Sequence, residues 1–221
     1  MKGIDMVFYF SGTGNSEGVA RIIAQHLSDT AISIVDLDPA SYSFGAGDSV
    51  GFVFPVYAYA APEIMIEFAR HVNVGDAFCY AVCTFSNVTG DALEHFRDFV
   101  PIKSGYGIKM PDNYPVLDHI IDTRETTLAK LRAAKTRIAE VLPLLERREE
   151  GIFDTLRGEN GHERSYRGYA SSINPCAAHH PTGSRRICAL AAGSALGSVP
   201  LTPSRCATAF PLGSMTPAAC A

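Results

Sequence analysis

The chain has 221 residues, 47% hydrophobic and 19% charged, which suits one globular domain with an appendage rather than two full domains. Net charge is −4 but unevenly placed: residues 172–221 hold three arginines and no acid, so the first 171 hold 16 basic and 23 acidic side chains, a net −7. An acidic body argues against nucleic acid as a partner, and no apolar run reaches the roughly 18–20 residues that span a membrane.

The N-terminus does not read as a secretory leader: its short apolar run carries Asp5 and passes straight into Gly-rich polar sequence. A cytoplasmic location is expected. Asp5–Phe10 is an aromatic and aliphatic run, predicted as a buried strand. Ser11–Ser16 follows as a polar, Gly-rich turn. Val19, Ile22, Ile23, His26 and Leu27 recur at helical spacing, predicting a helix over 17–27. Ala31–Leu37 reads as a second strand. Ser49–Phe54, ending at Pro55, reads as a third.

A second helix is predicted from Pro62, with Ile64, Met65, Phe68, Ala69 and Val72 on its apolar side. Ala77–Phe85 is the fourth strand. A third helix follows Gly90, with Asp91 suited to its positive end. Tyr106–Ile108 is the fifth strand. After a loop holding Pro111 and Pro115, the longest helix is expected over Thr123–Leu142, with Pro143 kinking or ending it. Strands alternating with helices imply parallel pairing and right-handed crossovers. The expected fold is therefore α/β, a doubly wound parallel sheet of five strands. Ligands in such sheets sit beyond the carboxyl ends of the strands, where the strand order switches.

The loop after the first strand reads Ser11-Gly12-Thr13-Gly14-Asn15-Ser16 and opens a helix. The free N–H groups and dipole of a helix start make an anion site. Gly12 and Gly14 let the backbone approach closely, and Ser11, Thr13 and Ser16 add hydroxyl donors. A nucleoside-triphosphate loop would need Gly-Lys-Ser/Thr, which is absent. A dinucleotide fingerprint needs a third glycine where Glu17 stands, with Gly18 one place late. Asp36 and Asp38 lie where a ribose-binding acid would, so a dinucleotide site remains a rival reading. A Gly-rich turn that binds nothing is another.

FYFSGTGNS, GFVFPVYAYAAP (51–62) and YGIKMPDNYP (106–115) resemble the flavodoxin half of bacterial proteins that join a flavodoxin to a ferredoxin domain. The resemblance covers residues 1 to about 165. It implies sheet order 2-1-3-4-5, an FMN-binding domain over 1–150, a linker over 151–171 and a ferredoxin position over 172–221. It implies that Ser11–Ser16 cradle the FMN phosphate. The flavin ring would then lie between the loop holding Pro55, Val56 and Tyr57 and the loop holding Thr84, Phe85, Ser86, Asn87 and Gly90. Tyr57 and Phe85 are the stacking candidates, since the chain has no Trp.

Other chemistry fits less well. Gly47-Asp48-Ser49-Val50-Gly51 matches a hydrolase elbow, but that motif needs a strand before the serine and a helix after it. Here a turn-rich stretch precedes and an apolar strand follows. Asn87-Val88-Thr89 is a glycosylation sequon without meaning in a cytoplasmic protein. Cys79 and Cys83, four apart in a strand, lie about 13 Å apart, too far for a disulfide. Cys176, His179 and His180 lack a second pair at zinc-finger spacing.

The expected function is an FMN-binding electron carrier acting with redox partner proteins, to which an acidic body is suited. The alternatives are an FMN-dependent NAD(P)H:quinone or flavin reductase and a cofactor-free flavodoxin-like interaction module. An iron–sulfur cluster is not expected: Cys176, Cys188, Cys206 and Cys220 are 12, 18 and 14 positions apart, unlike the C-x2-C-x2-C-x3-C run. Residues 172–221 lack every Asp, Glu and Lys and are expected to be a disordered tail. A ferredoxin region read out of frame would explain why the composition breaks where that domain should begin.

Overall fold

The computed structural model describes residues 3–112 and 122–154. In chain order they form β1 (Asp5–Tyr9), α1 (Asn15–Leu27), β2 (Thr30–Ser33), a 3₁₀ turn (Pro39–Ser41), β3 (Ser49–Pro55) and α2 (Glu63–His71). Then come β4 (Phe78–Phe85), α3 (Ala92–Arg97), β5 (Ser104–Lys109), α4 (Arg124–Glu146) and β6 (Gly151–Phe153). The strands pair in parallel in the order β2-β1-β3-β4-β5-β6. This is the flavodoxin-like doubly wound sheet, with its switch between β1 and β3.

Burial explains why these runs become strands. Every residue of β4 is buried, as are six of the seven in β3. Central parallel strands are covered on both faces and so carry unbroken apolar runs. Phe8, Phe52, Phe54 and Phe85 pack with Met65 and Phe68 of α2 and with Leu93 and Phe96 of α3. On the other face Val7, Val53, Val82 and Ile108 pack with Val19 and Ile23 of α1 and with Ile138 and Val141 of α4. Each such burial contributes roughly 1.5–3 kcal/mol, so two clusters, one per face, hold three layers together.

Three expectations need correction. The sheet has six strands, not five: Gly151–Phe153, placed at the start of the linker, pairs beside β5. Its anchor is the ring of Phe153, stacked on Tyr106 with centroids 5.3 Å apart. A three-residue strand carries too little periodicity to be read in advance. Strand β2 stops at Ser33, because Asp36 turns the chain with a left-handed φ of 65°. Helix α4 continues through Pro143 to Glu146. A proline so near a C-terminus removes little of the ladder, and Leu145 is buried against the sheet face and holds the last turn. Pro115, the rest of the linker and the tail lie outside the described residues.

Candidate functional site at the carboxyl edge of the sheet

Loops after β1, β3, β4 and β5 meet at one edge, tied strand by strand through the backbone. Phe10 N–H donates to Val53 O at 3.0 Å, Val56 N–H to Thr84 O at 2.8 Å and Met110 N–H to Phe85 O at 2.7 Å. The three segments singled out from sequence therefore share one rim.

Helix α1 begins on this rim. Its N-cap is Gly14 with φ 95°, a left-handed conformation that favours glycine, and no side chain caps the first turn. The first amides of a helix have no partner inside it, so they point at the rim with the positive end of the helix dipole. Gly12, Thr13 and Gly14 are exposed there. Ser11 Oγ accepts the Gly14 N–H at 3.0 Å, which shapes the loop and leaves the Ser11 O–H able to donate.

Three predicted roles change. The Ser16 hydroxyl does not face the loop's exposed side: it is buried and pairs with Thr84 Oγ1 at 2.8 Å. Ser16 thus contributes its backbone amide, while its side chain and that of Thr84 fasten α1 to β4. Asn15 likewise acts as a tether, its Nδ2 donating to Pro111 O at 3.2 Å. Phe85 is only 5% exposed and belongs to the core, its ring edge beside Gly107. It is a packing residue rather than a stacking surface.

Tyr57 is the aromatic that stays open, 50% exposed. Its hydroxyl lies against Gly12, where an added Cβ would stand 2.8 Å away. Partial burial raises its phenol above the ordinary range, so it stays neutral at physiological pH. Two backbone bonds between Tyr57 and Ala60, 2.9 and 3.0 Å, close a tight turn. Both central residues, Ala58 (φ 49°) and Tyr59 (φ 64°), are left-handed without being glycine. Pro55 and Val56, which precede this turn, are half-buried. In the next loop Ser86 is half-buried, Asn87 exposed and Gly90 buried with φ 61°.

One pair on the rim has no sequence signal. Lys130 of α4 donates to Ser86 Oγ at 3.3 Å and to Asp122 Oδ2 at 2.6 Å. A separation of 44 positions hides its contact with Ser86.

Rival sites fare worse. Ser49 opens β3 at the opposite edge, buried, with no helix after it. Asp38 is engaged locally, accepting the Ala40 N–H and the Ser41 hydroxyl. An added Cβ at Gly18 would meet nothing within 4 Å, so Gly18 does not do the close-packing work of a third fingerprint glycine. Cys79 and Cys83 are free and buried, and burial pushes the Cys79 thiol up to about 12. The tail cysteines, His179 and His180 lie outside the described residues. Among the described residues no helix is long and apolar enough to cross a membrane.

No protein-family profile matches the chain, and no curated protein matches it. Among solved structures it is similar to the Fusobacterium nucleatum flavodoxin bound to flavin mononucleotide, at 12% identity over 63% of this chain and 96% of that one, with a TM-score of 0.40. It is similar to the flavodoxin of Streptococcus pneumoniae TIGR4 at 14% identity, over 62% and 99% of the two chains, with a TM-score of 0.39. It is also similar to two-electron reduced Megasphaera elsdenii flavodoxin at 17% identity, over 60% and 99%, with a TM-score of 0.37. The fold assignment stands on this chain's own strand order and register.

Proposed function

We propose that this rim binds FMN non-covalently and that the protein is an electron carrier. The observation that carries the reading is the uncapped first turn of α1, opening beside exposed Gly12, Thr13 and Gly14 with Tyr57 against Gly12. The donor set fits a terminal monophosphate: helix amides and neutral hydroxyls, with no Lys or Arg in the loop. Tyr57 offers an exposed flat face on the adjoining loop, as a flavin ring requires. Strand order 2-1-3-4-5-6 suits a mononucleotide at this switch point, whereas the dinucleotide fold runs 3-2-1-4-5-6.

When bound, FMN would supply one- and two-electron transfer. The protein's own part is to hold the phosphate on the α1 amides, to cover the ring with Tyr57, and to limit water through Pro55 and Val56. Its acidic body, net −7 over the first 171 residues, favours basic redox proteins as partners.

The test is titration of purified protein with FMN and riboflavin, followed by flavin fluorescence, with a parallel assay of NAD(P)H oxidation using a quinone. Quenching of FMN with tighter binding than riboflavin supports the site. Absence of FMN binding refutes it. Steady quinone-dependent NAD(P)H oxidation would move the protein from carrier to reductase.

A further inference from the structure

Lys130 joins three segments of the rim. It lies in the second turn of α4, and its ammonium meets Ser86 Oγ just past the end of β4 and Asp122 Oδ2 just before α4. The same Asp122 oxygen accepts the backbone N–H of Asp112, in the connection that leaves β5, at 2.6 Å. The Lys130 and Asp122 side chains are only 20% and 12% exposed. Exposed ion pairs contribute little. A largely buried one, with its donors and acceptors matched, fixes geometry, and breaking it leaves a charge stranded. Burial opposes ionisation of Asp122, but the bonds from Lys130 and the Asp112 amide prevail and hold its carboxyl below the usual range.

Within the first phosphate loop and the Tyr57 turn there is no cation. Lys130 therefore brings an ammonium, paired with Asp122, to a rim whose loops after β1 and β3 carry no cation, one hydrogen bond from the loop after β4.

We propose that Lys130 is a positioning residue that locks the loop after β4 to the connection after β5 and neutralises the Asp122 carboxylate beside the cofactor held there. The lock stands on the described contacts alone. The charge effect rests on the FMN reading above. Two electrons and one proton taken by FMN from an external donor, dithionite in the test, leave it one unit more negative. With Lys130 in place the Asp122 charge is offset; without it the uncovered carboxylate would disfavour that more negative reduced form.

The experiment has two arms. In the cofactor-free protein, hydrogen exchange at residues 86–90 and 110–112 is followed by mass spectrometry. Lys130→Met and Asp122→Asn should each accelerate it at least tenfold, and Lys130→Arg should not. In the FMN-loaded protein, Lys130→Met should lose about tenfold in its preference for reduced over oxidised FMN. That is a two-electron midpoint lowered by about 30 mV, and Lys130→Arg should restore the original value. Unchanged exchange in both Lys130→Met and Asp122→Asn overturns the lock. An unchanged midpoint with FMN fully bound overturns the charge effect. If the unmodified protein binds no FMN, the functional reading and the charge effect both fall, and the exchange arm still decides the lock.

Discussion

The hydroxyl of Tyr57 rests so closely on Gly12 that a Cβ there would stand 2.8 Å from it. The relationship joins the loop after β1 to the loop after β3, the two walls of the proposed site. A Gly12→Ala change has to move the Tyr57 ring, whose far end is free to swing. Folding should survive, and FMN affinity should fall about tenfold, roughly 1.4 kcal/mol. Adding Tyr57→Phe to Gly12→Ala should recover part of the loss, because the clashing oxygen is gone. Titration of the unmodified protein and the two variants checks this; equal affinities for all three would separate Tyr57 from the site.

Thr13 and Ser16 should behave differently although both are loop hydroxyls. Thr13→Ala should weaken FMN by about 1.5–3 kcal/mol, ten- to a hundred-fold, and riboflavin little, because only FMN carries the phosphate. Ser16→Ala instead leaves the buried Thr84 hydroxyl without its 2.8 Å partner. Its effect should be on stability, about 1–3 kcal/mol in urea unfolding. If Thr13→Ala spares FMN and Ser16→Ala spares stability, the two roles have been wrongly divided.

The turn at Ala58 stores strain. A left-handed non-glycine residue costs about 1–2 kcal/mol, partly offset in glycine by the entropy it loses on folding. Ala58→Gly should therefore stabilise the protein by up to about 1 kcal/mol, seen as a higher Tm of the cofactor-free form. A lower Tm would mean the Ala58 methyl contributes packing that exceeds the strain.

On the opposite strand face, Gly51 and Tyr80 are cross-strand partners, and a Cβ at Gly51 would fall 2.4 Å from Tyr80 Cζ. Gly51→Ala should destabilise severely, since the ring is buried and cannot swing away. The Tyr80 hydroxyl has no hydrogen-bond partner among the described residues. Tyr80→Phe should thus be neutral or stabilising, by up to about 1–3 kcal/mol. Chemical unfolding of both variants decides, and marked destabilisation by Tyr80→Phe would point to a polar partner for that oxygen.

Acid sensitivity has a local source at Asp48. The backbone N–H groups of Gly45 and Ile4 donate to its carboxylate at 2.8 Å each and hold it below the usual range of 3.8. A depressed folded value means the stabilisation is complete well above 3.8 and is lost as pH falls through the lower folded value. Asp48→Asn should lower Tm at pH 7 and flatten its fall between pH 5 and pH 3. A parallel fall in both proteins would assign the acid loss to other carboxylates.

The sequence alone determined the strands β1 to β5 and their parallel pairing. Unbroken apolar runs such as Phe78–Phe85 fit only strands covered on both faces, and helix-period stretches between them force parallel crossovers. It also marked the Gly-rich loop between β1 and α1, because Gly12 and Gly14 between a strand and a helix are local signals. What sequence could not give was side-chain direction at the rim. Whether Ser16 faces the loop or Thr84, and whether Phe85 faces the rim or the core, depends on partners 68 positions away or on the far side of a strand. The same holds for Lys130 reaching Ser86 across 44 positions, and for three residues of β6 made a strand by Tyr106 under Phe153. Local backbone preferences act over a turn or two, while these pairings exist only once the layers have packed, and so only the tertiary structure decided them.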